Sequence, residues 1–325
     1  MIKFSKIIFI GGNRYNEDGP FIGFAKQCRK LKIDIVLIVD KERIDYPTKT
    51  MGTFRESLER NNISYEVSTG ITKKLIEKHL TENTIIFSVH CIWILKQDVI
   101  DLAAGKIFNY HNLSLPEQRG AAGHSWRLMQ NNQKSTLNIH EIIIGVDKGR
   151  IIYQKNIKFP KSYTNLEQCY RYIDKHEQKL FSLFLKQQKS LKISQDERKS
   201  FYWPRLNTIK HGFIDWDWSA QDIKLFCSAF DKPFKGASTF LDGNRFFFMD
   251  AELTDSDTYF HPFQSGLVYR LDNDYIFIAT IEGGIKVKLQ CIEDSKGKLV
   301  KDIRVRLGDR FVTPIDILHS ARMKG

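Results

Sequence analysis

The feature that most constrains the fold is an alternation of short apolar runs with amphipathic stretches in the first third of the chain. The apolar runs lie at residues 6–10, 33–39, 64–67, 84–88 and 106–109. Stretches with helical spacing separate them, at residues 20–32, 51–62, 72–82 and 99–104. Continuous Ile, Val and Phe runs are typical of strands buried on both faces. We therefore predict an α/β fold with a Rossmann-like, mostly parallel sheet.

The pattern changes after this region. Residues 135–145 and 150–157 alternate apolar and polar side chains, as antiparallel strands do, and Asp147-Lys148-Gly149 between them has the composition of a tight turn. Residues 165–189 have the spacing of one long amphipathic helix. The polar stretch SLKISQDERKS, residues 190–200, is interpreted as a linker.

The last third of the chain is predicted to be β-rich. A helix is expected at residues 220–230, and strands at 245–249, 267–271, 275–281 and 285–291. Gly283-Gly284 suits a hairpin between the last two strands. We predict an N-terminal catalytic domain, residues 1–205, and a small barrel-like (OB-like) C-terminal domain, residues 206–325.

Composition and the lengths of the apolar runs predict a cytoplasmic protein without a membrane-spanning segment. Every apolar run is far shorter than the roughly 20 residues that span a bilayer, and the N-terminus resembles a first strand rather than a signal peptide. The five cysteines are scattered without a CxxC pair, as reduced thiols are. The net charge of +12 comes from lysines spread along the chain, which is more typical of a solvated surface than of a nucleic-acid footprint.

The chemistry concentrates in residues 108–122, FNYHNLSLPEQRGAA, directly after a predicted strand. Asn109 and His111 are two positions apart, so an extended chain points both to the same side. In open α/β sheets, sites form at the carboxyl ends of strands. A carboxamide donor beside an imidazole suits acyl transfer, although such a pair taken alone is more often structural.

The whole phrase resembles the N-x-H-x-x-x-L-P-x-x-R-G-A-A signature of the folate-dependent formyltransferases. That family includes methionyl-tRNA formyltransferase, glycinamide ribonucleotide transformylase and the sugar N-formyltransferases. Residues 137–149 resemble the family's T-[IV]-H…[LVI]-D-x-G, and Phe213-Ile214-Asp215-Trp216 resembles its I-D-W motif. With residues 261–290, which resemble the small barrel of the longer members, the resemblance covers nearly the whole chain.

The resemblance implies a catalytic trio of Asn109, His111 and Asp147, and N10-formyltetrahydrofolate as co-substrate. From the residues alone, a turn-forming aspartate before Lys148-Gly149 is the favoured interpretation of Asp147, and only the motif favours catalysis. No metal is expected, because His111, His124 and His140 lack ligand spacing on one element.

The remaining site residues are assigned by the resemblance to two groups. Those expected around the folate are Ser88, His90, Trp93, Ile94, Leu95, Ile143, Gly145 and Val146. Trp93 could instead be a core residue. Those expected around the acceptor are Asn13, Asn112, Ser114, Arg119, Gly120 and Trp216. The sequence departs from the family pattern mainly after His111 and after Gly120, on the acceptor side.

Two acceptor amines compete. The favoured one is a nucleotide-linked amino sugar, such as dTDP-4-amino-4,6-dideoxyglucose, destined for a surface polysaccharide such as the O-antigen of lipopolysaccharide. The alternative is methionine on initiator tRNA, which the net charge and the C-terminal domain would suit. A third hypothesis is a binding module that has lost its chemistry, against which the intact trio argues. A homodimer is expected only from the family.

Overall fold

The computed structural model describes residues 4–13, 19–48, 52–187, 190–254, 259–301 and 303–323. The chain divides into two compact units. The first unit comprises residues 1–120, 134–159 and 170–203, and the second comprises residues 121–133, 160–169 and 204–325.

The elements follow one another along the chain. The strands are β1 (Lys6–Gly11), β2 (Asp34–Asp40), β3 (Tyr65–Ser68), β4 (Thr84–Val89), β5 (Ile107–His111), β6 (Arg119–Gly120), β7 (Lys134–Glu141), β8 (Ile151–Lys158), β9 (Tyr202–Trp203), β10 (Ala237–Leu241), β11 (Asn244–Leu253), β12 (Val268–Leu271), β13 (Ile276–Ala279), β14 (Gly284–Glu293) and β15 (Leu299–Val300). The α-helices are α1 (Phe21–Lys30), α2 (Phe54–Arg60), α3 (Lys73–Glu77), α4 (Gln97–Leu102), α5 (Gly123–Met129), α6 (Leu166–Leu185), α7 (Thr208–His211), α8 (Ala220–Phe230) and α9 (Ile315–Arg322). Short 3-10 turns occupy Glu197–Lys199 and Pro262–Gln264.

The first unit contains a seven-stranded sheet in the order β3-β2-β1-β4-β5-β7-β8. Strands β1 to β5 pair in parallel, whereas β7 runs antiparallel to both β5 and β8. All six residues of β4 are buried, as continuous apolar runs require. The predicted α/β fold with a mostly parallel sheet is confirmed.

Local interactions set the ends of the helices. Helix α2 begins after Thr53, whose side chain forms a capping box with Glu56, and the predicted start at Met51 lies outside the described residues. Helix α3 ends at Glu77, well before the predicted residue 82, and a tight turn between Thr81 and Thr84 then leads into β4. The predicted end of α6, residues 188–189, also lies outside the described residues.

The second unit carries an antiparallel sheet in the order β10-β11-β14-β13-β12, with β15 paired to β14. The predicted β-rich C-terminal part is therefore confirmed. Helix α8 has the predicted bounds. The hairpin at Gly283 closes through a hydrogen bond from the Thr280 N–H to the Gly283 carbonyl, 3.0 Å.

Two segments from the middle of the chain belong to the second unit. In α5, the Ser125 hydroxyl donates to the Ala229 carbonyl of α8, 3.0 Å. At the start of α6, the Glu167 N–H donates to the Lys232 carbonyl, 3.0 Å. The last crossing between the units falls at residues 203–204, but the chain has already entered the second unit twice before that point.

The stretch expected to be a linker, residues 190–200, is instead part of the first unit, and that prediction was wrong. The backbone of Ile193 pairs with that of Ile151 in both directions, 2.9 Å each, and the Leu191 N–H donates to the Ile152 carbonyl, 2.8 Å. Strand β9 then pairs with β6. The segment was predicted to be a linker because it is polar, but it packs on the first unit through backbone hydrogen bonds and polar side chains.

Within the described part of the chain, no helix is both long and apolar enough to cross a bilayer.

Candidate active site

The site forms where β5 and β7 meet in the first unit. Asn109 and His111 lie two positions apart on β5, and His140 on β7 stands directly opposite Asn109 in the antiparallel register. Residues so paired have neighbouring side chains. Asp147 enters from the loop that joins β7 to β8.

The carboxylate of Asp147 brings the predicted catalytic residues together. Its Oδ1 accepts a hydrogen bond from Asn109 Nδ2, 3.2 Å, and its Oδ2 accepts one from the Gly120 backbone N–H, 3.0 Å. His111 Nδ1 lies 3.6 Å from Oδ2, and His140 Nε2 lies 3.4 Å from Oδ1. Residues distant in sequence thus meet around one carboxylate.

The protonation of His111 is fixed by its other contact. Its Nε2 lies 2.7 Å from the Gln118 carbonyl, which can only accept, so Nε2 carries a hydrogen. Burial lowers the pKa of His111 below the ordinary 6.5, against the attraction of Asp147. The imidazole is therefore neutral near pH 7, and Nδ1, facing Asp147, is the nitrogen that can accept a proton.

His140 also lies in the site, although no role was predicted for it from the motif in which it stands. It is buried, and its Nδ1 donates to the Glu141 carbonyl, 2.7 Å. In the neutral ring Nε2 then accepts from Asn109 Nδ2, 3.1 Å. Both amide hydrogens of Asn109 are thereby engaged, one by His140 and one by Asp147.

Asp147 combines an ionised carboxylate with an unusual backbone. Burial alone raises the pKa of Asp147. The charge that His111 and His140 carry when protonated, together with the hydrogen bonds from His140 and from the Gly120 N–H, outweighs burial, so the pKa falls below its usual range. Its φ of +51° is left-handed, which is uncommon for a residue with a side chain. At Gly149 a Cβ would lie 1.7 Å from the Glu141 carbonyl oxygen, so only glycine fits there.

Arg119, expected to contact the acceptor, is only 3% exposed and holds neighbouring parts of its own unit. Its guanidinium donates to both carboxylate oxygens of Glu197, 2.8 and 2.9 Å, and to Gln195 Oε1, 2.8 and 3.1 Å. Neither Gln195 nor Glu197 was identified from the sequence, since nothing in a polar stretch distinguishes them from surface residues.

The predicted folate loop follows β4. Ser88 is buried at the end of β4, while Trp93 and Leu95 pack against the core around Ile8 and Ile86. The Trp93 indole N–H donates to the Thr69 carbonyl, 3.1 Å. Trp93 is thus at least partly a packing residue, the alternative that the sequence left open.

His90 and Ile94 differ from these anchored residues. His90 has a φ of +52°, and its carbonyl accepts from Arg43 Nη1, 2.6 Å. Ile94 is 82% exposed. The predicted folate loop therefore has a fixed base and exposes an apolar side chain to solvent.

The second predicted folate segment lies in the β7–β8 loop. Ile143, Ile144 and Val146 are exposed hydrophobic residues, and Gly145 between them is exposed as well. Ile142, at the base of this loop, packs against the same core as Trp93 and Leu95. We call the exposed side chains of Ile94, Ile143, Ile144 and Val146 the apolar rim.

The predicted acceptor residues are distributed more widely. Asn13 is fully buried, and residues 14–18 of its loop lie outside the described residues. Asn112 and Ser114 are half-buried just after β5. Trp216 lies in the second unit, where it is buried and its indole N–H donates to Thr239 Oγ1, 2.9 Å.

The described residues contain no cluster of three or more His, Cys, Asp or Glu side chains arranged to hold a metal ion.

Comparison with known protein families shows which family the chain belongs to. Residues 26–185 match the model of the formyl transferase domain, and residues 208–301 match that of the formyl transferase C-terminal domain. The chain belongs to the formyl transferase family. The family predicted from the motifs is therefore confirmed, and the formyl transferase domain contains Asn109, His111 and Asp147.

One relative of this formyl transferase is the bifunctional polymyxin resistance protein ArnA of Wigglesworthia glossinidia brevipalpis, 29% identical over 163 residues. The match covers 48% of this chain and 24% of ArnA. The chain therefore corresponds to about a quarter of the length of that relative.

Two solved structures resemble this formyl transferase over most of its length. One is the N-formyltransferase from Helicobacter canadensis in complex with folinic acid and dTDP-3-aminofucose, with a TM-score of 0.64 and 18% identity over 89% of this chain and 100% of the other. The other is WlaRD, a sugar 3N-formyl transferase solved with dTDP and 5-N-formyl-THF, with a TM-score of 0.62 and 18% identity over 89% of this chain and 98% of the other. At this identity the likeness establishes the fold.

Proposed function

We propose that this formyl transferase moves the formyl group of N10-formyltetrahydrofolate to the amino group of a nucleotide-linked amino sugar. The observation that carries the proposal is the meeting of Asn109, His111 and Asp147 around one buried carboxylate at the end of β5. An amide donor, a neutral imidazole and an ionised carboxylate are the groups that acyl transfer to an amine requires.

The chemistry follows from the hydrogen bonds. The acceptor amine attacks the formyl carbon, a new C–N bond forms, and the formyl oxygen becomes an oxyanion. Asn109 stabilises this oxyanion with an amide hydrogen, which it must release from His140 or Asp147. His111 takes the proton of the attacking amine on Nδ1, where the resulting imidazolium faces Asp147.

Collapse of the intermediate breaks the bond between the formyl carbon and N10 of the folate. The proton held on His111 passes to N10, directly or through water, as the electron pair returns to the nitrogen. The products are the N-formylated sugar and tetrahydrofolate. Asp147 keeps its charge throughout and stabilises the transient imidazolium, which is the role that its low pKa favours.

The folate would lie along the apolar rim. Burial of exposed apolar surface favours binding of an aromatic pterin ring. The remaining predicted folate residues, Ser88 and Gly145 among them, would contribute through backbone groups of the two loops.

The acceptor side supports a nucleotide. Tyr202 is 59% exposed, and its ring lies close enough to Gly120 that a Cβ there would sit 3.0 Å from it. Since the Gly120 N–H binds Asp147, this ring stands beside the reacting groups, where it can stack on a nucleotide base. The Helicobacter canadensis protein was solved with a dTDP-linked amino sugar.

The acceptor is tested by direct assay. The protein is incubated with N10-formyltetrahydrofolate and a panel of dTDP- and UDP-linked sugars bearing the amine at C3 or C4, and tetrahydrofolate release is followed. We expect turnover with a dTDP-linked sugar, dTDP-4-amino-4,6-dideoxyglucose being the first candidate. Turnover with charged initiator tRNA but with no sugar would refute the proposal.

The mechanism is tested by Asn109→Ala. Loss of one oxyanion donor typically costs about 3 kcal/mol, so we expect kcat to fall roughly a hundredfold to a thousandfold. Tetrahydrofolate release in single-turnover experiments measures it. A variant with full activity would exclude Asn109 from the oxyanion site.

The alternative acceptor, methionyl-tRNA, rests on the net charge of +12. A tRNA site needs unpaired cations, and affinity would then fall steeply with salt. In the second unit, Lys286 pairs with Glu252 at 2.9 Å, Lys288 with Asp250 at 3.4 Å, and Lys235 with Glu293. These ion pairs offset three of the positive charges in the second unit.

We also propose that the enzyme acts in the cytoplasm, in the synthesis of a surface polysaccharide. A homodimer stays a prediction.

A further inference from the structure

We propose that Gln195 is a positioning residue that holds Asp147 in its reactive place. The inference rests on the proposed function, because it assumes that Asp147 serves the formyl transfer. Gln195 lies 48 residues beyond Asp147 in the chain, and it touches the backbone of the Asp147 turn rather than its carboxylate.

The carboxamide of Gln195 joins two parts of the site. Its Nε2 donates to the Asp147 and Gly149 carbonyls, 2.7 Å each. Its Oε1 accepts from Nε and Nη2 of Arg119, 3.1 and 2.8 Å. Both amide hydrogens and both acceptor positions are occupied, so the side chain has a single favourable orientation.

Arg119 is itself held in place. Glu197 binds the guanidinium through both carboxylate oxygens, the two-pronged geometry that gives strong and directional contacts. Arg119 itself is only 3% exposed, whereas the Glu197 side chain that binds it is 58% exposed. The order of support therefore runs from Glu197 to Arg119, then to Gln195 and the turn.

The turn needs such support because its backbone is strained. A left-handed φ in a non-glycine residue costs on the order of 1 kcal/mol and persists only where surrounding contacts enforce it. Asp147 has this conformation, with a φ of +51°. The bonds from Gln195 to the carbonyls of Asp147 and Gly149 fix the residue at both ends of the turn.

The two anchors of Asp147 come from adjacent residues. The Gly120 N–H binds the carboxylate, while Arg119, through Gln195, binds the backbone. Loss of Gln195 leaves the carboxylate with its own hydrogen bonds but frees the turn that carries it. The expected result is displacement of the carboxylate away from His111, with the fold retained.

The test compares Gln195→Met with wild type and with Gln178→Met. The control removes an amide that also bridges two segments, since Gln178 contacts Gln27 and Pro20, but it lies away from the site. We expect kcat of Gln195→Met to fall about a hundredfold, as a displacement on the order of 1 Å does, with the KM for folate nearly unchanged. Gln178→Met should keep both constants.

A second readout separates positioning from loss of folding, and needs no turnover. The charged or titratable groups around His111 are Asp147, His140 and Arg119. Asp147 raises the pKa of His111, so a displaced carboxylate lowers that pKa further. NMR titration of labelled histidine should therefore give a lower His111 pKa in Gln195→Met and in Asp147→Asn, and no change in Gln178→Met.

The outcomes are distinct. If Asp147→Asn moves the His111 pKa and Gln195→Met does not, Gln195 has no positioning role. If the pKa moves but wild type transfers no formyl group to any acceptor, the proposed function fails and the positioning stands.

If Gln195→Met does not fold, Gln195→Glu replaces it, because it keeps the shape and the Arg119 contacts but faces the turn carbonyls without donors. Its kcat should fall as well, and full activity there would overturn the proposal.

Discussion

Two parts of the first unit are built in opposite ways: the apolar rim and the polar cluster, by which we mean Asp147 with Asn109, His111 and His140 around it. Asp147 is almost surrounded, with four side chains or backbone groups within 3.6 Å of its carboxylate. Ile94, in contrast, is 82% exposed. The groups proposed to do the chemistry are already assembled, whereas the surface proposed to bind the folate is exposed to water.

This difference in exposure is what we expect if the polar cluster serves catalysis and the apolar rim serves ligand binding. Preassembled donors and acceptors need little reorganisation during reaction, which is where electrostatic catalysis gains most. Here the reorganisation is the release of one Asn109 amide hydrogen from His140 or Asp147. An exposed apolar surface gives binding energy only when a ligand covers it. We therefore expect changes in the cluster to act on kcat and changes in the rim to act on KM.

The largest expected effect belongs to Asp147→Asn. The amide keeps the shape but cannot stabilise the imidazolium at His111, so kcat should fall roughly 10²- to 10⁴-fold. The KM for N10-formyltetrahydrofolate should stay near its wild-type value, measured from initial rates of tetrahydrofolate release. A parallel rise in KM would contradict the separation of the two tasks.

An intermediate effect concerns acid stability through His111. Its pKa is lowered in the folded state, so below about 6.5 the unfolded chain binds more protons than the folded one. As the pH is lowered below about 6.5, the free energy of unfolding therefore decreases, by up to about 1.4 kcal/mol per pH unit. Above about pH 6.5 this contribution of His111 is constant.

Denaturant unfolding at a series of pH values measures this slope. In His111→Gln the slope below pH ~6.5 should be smaller. The exposed His319→Gln serves as the matched control and should keep the wild-type slope. Equal slopes in all three proteins would mean that the cluster does not hold His111 neutral.

The smallest expected effect belongs to Ile94→Ser on the rim. Loss of roughly 1 kcal/mol of apolar burial by the ligand corresponds to about a fivefold rise in the KM for folate. Because Ile94 is 82% exposed without ligand, the free energy of unfolding should hardly change. An unchanged KM would place the folate elsewhere.

Much of the fold was predictable because the apolar spacing within a single segment indicates which of its residues are buried. Strand β1 and helix α8 were predicted with bounds equal or nearly equal to those observed, since their apolar spacing is regular. Strand β10 was missed, although Asp242-Gly243 after it is a hairpin signal. Helix α5 gives little local signal, because it follows Ala122 with a φ of +54° and has no side-chain cap.

The candidate site likewise contains residues that the sequence could predict and one, Gln195, that it could not. Asn109, His111 and Asp147 stand in motifs, and a motif is visible in one sequence. Gln195 could not be identified in this way, because its partners lie 46 to 76 residues away in the sequence. Only the folded chain places its amide between Arg119 and the Asp147 turn.

The docked segment at residues 190–203 has a consequence for exchanging parts between formyl transferases. The match to the family's first domain ends at residue 185, the last residue of α6. A chimera designed from domain boundaries would therefore be joined at that point. A crossover there would take Asp147 from one parent and Gln195 from the other. Recombination after residue 203 would keep Asp147 and Gln195, its proposed positioning residue, from the same parent.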